Sequence, residues 1–97
     1  MPSFSLTNKA IADVLKIGRY TEEHWGQVQR DKYLSLIDES FSSLAQNPNQ
    51  GRDCSDIKTG YRKKNVGSHV IFYRQIADDK IQIVRVLHGR MDYASHL

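Results

Sequence analysis

A chain of 97 residues makes one domain, long enough to bury roughly 60–70% of its unfolded surface around a single core and too short for two. Its 39% apolar and 26% charged residues exclude a disordered tail, and its net charge of +3 admits an acidic partner without choosing among nucleic acid, peptide and protein surface. A lone cysteine, Cys54, excludes an internal disulfide and a paired-thiol metal site, and no window nears the roughly 20 apolar residues of a membrane span, so the reading is a cytoplasmic chain with no cofactor and no membrane contact.

Ser3 to Leu6 alternates polar and apolar ahead of Thr7 and Asn8, either of which can cap a helix, so a short strand is expected to feed a helix there. From Lys9 to about His24 the residues Ala10, Val14 and Ile17 recur at helical spacing, widened by Ile11 and Leu15. Gly18 inside this run predicts a close helix-helix crossing, and Gly26 predicts its stop. A second helix covers about Gln27 to Gln46 on the steps Leu34, Ile37, Phe41 and Leu44, ending where Asn47 precedes Pro48. Two helices joined this closely pack as an antiparallel hairpin.

Asn47 to Ile57 has the composition of a surface loop, and Tyr61 to Lys64 is read as a strand. Ser68 to Gln75 and Lys80 to His88 are rich in β-branched and aromatic residues and flank the break Ala77-Asp78-Asp79, which predicts a hairpin with a loop longer than two residues. Strict alternation places Val70, Phe72 and Arg74 on one face of the first strand and His69, Ile71 and Tyr73 on the other. It groups Ile81, Ile83, Arg85 and Leu87 against Gln82, Val84, Val86 and His88 in the second. Neither strand has a wholly polar face, so one face is expected against the helices and the other against something outside the chain. The seven residues after Arg90 are too few for an independent helix and are read as a docked turn or a frayed end. The expected fold is α+β, in the order β-α-α-β-β-β, with a two-helix hairpin packed on a small antiparallel sheet formed by one domain over residues 1–97.

No phosphate-binding glycine loop, paired-cysteine motif or metalloprotease helix signature occurs. His69, His88 and His96 read as structural or surface imidazoles, and Cys54 has no base beside it in sequence. The basic residues say more. Lys58, Arg62, Lys63 and Lys64 precede the hairpin, Arg74 and Arg85 lie within it and Arg90 follows. Arg85 interrupts an apolar alternation, where a guanidinium needs an acidic group or water. An apolar groove with a cation in it suits an amphipathic acidic peptide.

Leu6-Thr7, Ala10, Asp13, Ile17, Tyr20-Thr21, Trp25-Gly26, then Phe41, Leu44-Ala45 and Pro48, then Gly60-Tyr61-Arg62 and Gly67 to Arg74, and finally Leu87 to Asp92 with His96-Leu97 closely resemble ParE toxins of the RelE/ParE toxin-antitoxin superfamily. The resemblance covers almost the whole chain. It implies a ParD-like antitoxin whose C-terminal segment wraps the toxin, and DNA gyrase as the target, trapped on cleaved DNA. The RelE branch shares the fold and cuts messenger RNA on the ribosome. Its catalytic arginines align here with Met91 and with His69 or Val70, so the resemblance favours a toxin that is not an enzyme. A ribosome-dependent endonuclease of the RelE type, and a non-toxic binding module, stand as alternatives. On this reading the antitoxin-binding set is Tyr61, Arg62, Arg74, Ile81, Ile83, Arg85 and Leu87, and the target-binding set is His88, Arg90, Met91, Asp92 and Tyr93. No catalytic residue, no metal ligand and no sequence-specific nucleic-acid contact is expected. A homodimer or a larger toxin-antitoxin assembly is left open.

Overall fold

The computed structural model describes residues 1–97. Strand β1 (Ser3–Leu6) leads into α1 (Asn8–Trp25) and α2 (Gln27–Gln46), followed by a 3-10 turn (Pro48–Gln50). Strands β2 (Arg52–Asp53), β3 (Arg62–Val66), β4 (His69–Ala77) and β5 (Lys80–His88) precede a four-residue helix, α3 (Tyr93–His96). The sheet order is β1-β5-β4-β3-β2, antiparallel from β2 to β5, with β1 added in parallel beside β5. The α+β class and the helical hairpin on the sheet are as expected. The two-residue β2 and the parallel edge are additions to the order read from the sequence.

Thr7 begins α1 in the way its side chain allows, its Oγ1 accepting the Ala10 N–H at 3.0 Å. The same hydroxyl donates to the Val84 carbonyl at 2.7 Å, tying the helix start to β5. Gly26, at φ 91°, lets the chain reverse between the helices. A methyl group at Gly18 would lie 3.3 Å from Leu34 Cδ1, which is the close crossing that glycine predicted.

The helices bury one sheet face. Ile17, Ile37, Phe41 and Leu44 pack there against Ile71, Tyr73, Ile81, Ile83 and Val86. A smaller cluster of Cys54, Tyr61, Val70, Phe72 and Leu87 lies on the other face. This outer face was expected to await a partner. Instead the chain covers it with Ile57 from the preceding loop and with Tyr93 and Leu97 from its own tail. Tyr93 meets Phe72 edge-on at 5.0 Å, so the tail is docked.

The grouping of Ile81, Ile83, Arg85 and Leu87 on one face does not hold. Phe72 pairs with Arg85 but Tyr73 pairs with Ile83, so Val84 is left without a partner in a β-bulge. One extra residue reverses the alternation. Ile81 and Ile83 therefore share the helix side with Val86, while Leu87 joins the outer cluster. The hairpin loop also differs, because Ala77 pairs with Lys80 and leaves only Asp78-Asp79 as the turn, the surplus residue being absorbed by an irregularity between Gln75 and Ala77. The strand expected over Tyr61 to Lys64 starts one residue later and runs to Val66.

The β3-β4 turn is held by Tyr33 of α2. Its hydroxyl donates to the Val66 carbonyl and accepts the Ser68 N–H, both at 3.1 Å. Gly67 lies beneath the ring at φ 55°, and a Cβ there would sit 2.6 Å from Tyr33 Cε1. Gly67→Ala should therefore lose at least about 1–2 kcal/mol from the left-handed backbone alone, with the ring contact adding to it. A urea midpoint equal to the wild type would remove this constraint.

Candidate functional site: a cleft between the helical hairpin and the sheet

The bulge sets the position of Arg85. Its Nε donates to Asp13 Oδ2 at 2.8 Å and its Nη2 to Oδ1 at 2.9 Å, a two-pronged pair across α1 and β5. Asp13 Oδ2 also accepts the Val86 N–H at 3.0 Å, and Arg85 Nη1 donates to the His96 carbonyl at 3.0 Å. The carboxylate beside it raises the already high pKa of the guanidinium. Arg85 is thus an internal tie among helix, strand and tail, with no charge left over for a partner's carboxylate.

Beside this tie opens a cleft of about 1030 Å³. Lys16, Tyr20 and Trp25 line one wall, Tyr33 and His69 the back, and His88, Met91 and His96 the far side. Tyr20 stacks on His24 at 4.0 Å, and Trp25 is 72% exposed. At the back, the Tyr33 hydroxyl lies 2.7 Å from His69 Nδ1, and the His69 and His88 rings meet edge-on at 5.4 Å. The one carboxylate in the lining, Asp13, is already engaged, so Lys16 brings an unpaired charge to the cleft beside the polar groups of Thr21, Gln29, Ser68 and three imidazoles. Its apolar surface comes from Ile17, Trp25, Met91 and the aromatic rings.

Burial lowers the His69 pKa, the neighbouring His88 lowers it further, and Asp13 opposes them. The folded chain therefore favours the neutral ring more than the unfolded chain does. That contribution to stability is present above the ordinary histidine value of about 6.5 and is lost as pH falls through the depressed folded value. The urea midpoint should fall on acidification below about pH 6.5, and His69→Asn should flatten the fall. Identical slopes in the two proteins would remove His69 from the effect.

The residues expected to bind a partner do not form one surface. Ile81 and Ile83 are fully buried beneath the helices, and Tyr61 and Leu87 are buried in the outer cluster. Arg62 donates to the Gly51 carbonyl at 2.8 Å, and Arg74 donates to Gln82 Oε1 at 2.9 Å. Only Leu87, in part, and Arg85 reach the cleft. Of the second set, His88 and Met91 line it, Arg90 is exposed, Asp92 accepts from Ser95 Oγ at 2.7 Å and Tyr93 is half-buried against Phe72. Sequence reasoning missed Tyr20, Trp25, Tyr33 and His69 as members of one site. A usable signal lay in Tyr20 and Trp25, large aromatics in the last two turns of α1, beyond Ile17, the last aliphatic residue of its apolar stripe. No group of three or more histidine, cysteine or acidic residues is arranged to hold a metal ion. No helix is long and apolar enough to cross a membrane.

Comparison with known proteins extends over the whole fold. The family described as "ParE toxin of type II toxin-antitoxin system, parDE" matches residues 4–93. Toxin ParE1 of Mycobacterium tuberculosis is 39% identical over 94 residues, 97% of this chain and 96% of the relative. Toxin ParE1 of Caulobacter vibrioides is 34% identical over 97 residues, covering 100% of this chain and 99% of the relative. Among solved structures, a chain of the chromosomal ParDE TA system from P. aeruginosa superposes with a TM-score of 0.76 at 27% identity, over 91% of this chain and 96% of that one. A chain of the YoeB-YefM complex from Staphylococcus aureus has the same fold at a TM-score of 0.60 and 18% identity, over 92% of this chain and 98% of that one.

Proposed function

We propose, from the premise that this chain belongs to the ParE toxin family of type II toxin-antitoxin systems, that it inhibits DNA gyrase by binding and is neutralised by a ParD-like antitoxin. The observation that carries the reading is the match along residues 4–93, which spans α1, α2, strands β2 to β5, all of β1 but its first residue, and the start of the tail. The P. aeruginosa neighbour is a toxin-antitoxin structure, which supports an antitoxin as the partner of this chain too.

The cleft is the seat we assign to the antitoxin's C-terminal segment. An amphipathic helix would lay apolar residues on Tyr20 and Trp25 and direct a carboxylate to Lys16. The toxin acts in the cytoplasm in this reading, in a one-to-one pairing that grows into larger assemblies. The end of β5 and the turn after it, from His88 to Tyr93, form the surface presented to gyrase. Two groups favour binding over catalysis. The Cys54 thiol is fully buried with its pKa raised by burial, and the Asp13 carboxylate is consumed by Arg85 and Val86. Messenger cleavage is the competing reading, and its one supporting feature is the His69-His88 contact in the cleft.

The deciding experiment adds purified chain to a gyrase supercoiling reaction. Loss of supercoiling with accumulation of linear DNA, reversed by a ParD-like antitoxin, is the expected result. Cleavage of ribosome-bound messenger that disappears in a His69→Gln, His88→Gln double variant would install the competing reading instead.

A further inference from the structure

The chain's surplus positive charge lies entirely in residues 47–97, the half that forms β2 to β5 and the tail. Part of it gathers on the outer face of the sheet. Arg52 of β2 stands directly across from Lys63 of β3, and Lys63 across from Phe72 of β4. Arg74 shares the face of Val70 and Phe72 along β4. None of Arg52, Lys63 and Arg74 takes part in an ion pair. Two like charges in direct cross-strand register destabilise a sheet when no counter-charge lies between them. The nearby carboxylate Asp53 is oriented by the Ser55 N–H at 2.8 Å and is paired in register with Arg62.

Aromatic rings interleave with these cations. Lys63 Nζ lies 5.5 Å over the Tyr93 ring, and Lys58 Nζ 5.5 Å over Tyr61. Lys58 also donates to the Leu97 carbonyl at 2.9 Å, which keeps it beside the tail. We propose that this outer face docks on the phosphate backbone of duplex DNA without reading its sequence. An acidic amphipathic peptide needs an apolar seat, and on this face the seat is already filled by the chain's own Tyr93 and Leu97. What remains is a cationic strip on the outer sheet, the chemistry of sequence-independent phosphate contact. The choice of DNA among polyanions rests on the reading that the toxin's target is an enzyme holding DNA, whose duplex this face would grip while the β5 end engages the protein.

The test titrates the full chain into a fluorescein-labelled 30-base-pair duplex of arbitrary sequence, in the absence of gyrase. Contacts to three phosphates should weaken binding about forty-fold between 50 and 200 mM salt. An Arg52→Glu, Lys63→Glu variant should lose at least tenfold in affinity at the lower salt, with its far-UV circular dichroism unchanged. A Lys9→Glu, Lys32→Glu variant, altering net charge equally on the helices, should bind as the wild type does. Equal losses in the two variants, or no binding at 50 mM salt, would overturn the proposal. So would a poly-glutamate chain that binds more tightly than the duplex, which would assign the strip to an acidic protein segment. Gyrase inhibition is assayed separately, so a chain that binds DNA but leaves gyrase active strikes the function reading and not the patch.

Discussion

Asp13→Ala should lower unfolding stability by about 3–5 kcal/mol, the usual effect of removing one partner from a buried ion pair. The side chains of Arg85 and Asp13 are 15% and 10% exposed, and without Asp13 the guanidinium keeps only the His96 carbonyl as a partner within the chain. The Val86 N–H loses its acceptor in the same step. Against a total of about 5–15 kcal/mol for a domain of this kind, such a loss brings the chain near its threshold. Arg85 Nη1 also holds the His96 carbonyl, so hydrogen exchange in the last residues should accelerate beyond the global change. Replacing both partners, as in Asp13→Leu with Arg85→Met, should recover much of the loss, because neither charge is then stranded. A urea midpoint for Asp13→Ala within the error of the wild type would mean that the pair does not tie helix to sheet.

The same pair marks where sequence reading stopped. Helical period, the Gly26 break and the β-branched runs made the hairpin of helices and the central strands legible, since those signals are local. The bulge at Val84 is not local. Its extra residue is held by the Thr7 hydroxyl from 77 positions away, and no pattern within β5 announces it. With the bulge unseen, Ile81 and Ile83 were placed beside Arg85 in a groove, whereas the reversed alternation sends them into the core. Arg85 was rightly read as needing an acidic group, but its acid came from α1 within the chain. The cover of the outer face was hidden for a related reason. Tyr93 and Leu97 form no periodic segment, and only the folded register brings them over Phe72 and Val70. Tyr33 sits within the α2 run, where no local pattern marks its hydroxyl as the partner of the β3-β4 turn.

Truncation after Asp92 should unfold much of the protein's margin and so cannot by itself locate the gyrase surface. It removes the Tyr93 ring from Phe72, Leu97 from the outer cluster and the His96 carbonyl from Arg85, a loss of about 3–5 kcal/mol if the exposed cluster collapses poorly. Exposed side chains give a cleaner separation. Arg90→Glu alters the turn after β5 without touching the core, and Tyr20→Ala with Trp25→Ala strips the helical wall of the cleft at positions 61% and 72% exposed. Such surface changes should shift stability by no more than about 0.5 kcal/mol each. Arg90→Glu is expected to lose gyrase inhibition tenfold or more while retaining antitoxin affinity. The Tyr20, Trp25 double variant is expected to do the reverse, losing antitoxin affinity at least tenfold while still poisoning gyrase, because aromatic anchors dominate protein interfaces. If each variant lost both activities together, gyrase and antitoxin contacts would share one surface, and neutralisation would be direct occlusion. If Arg90→Glu poisoned gyrase as well as the wild type, the turn after β5 would have no part in target recognition.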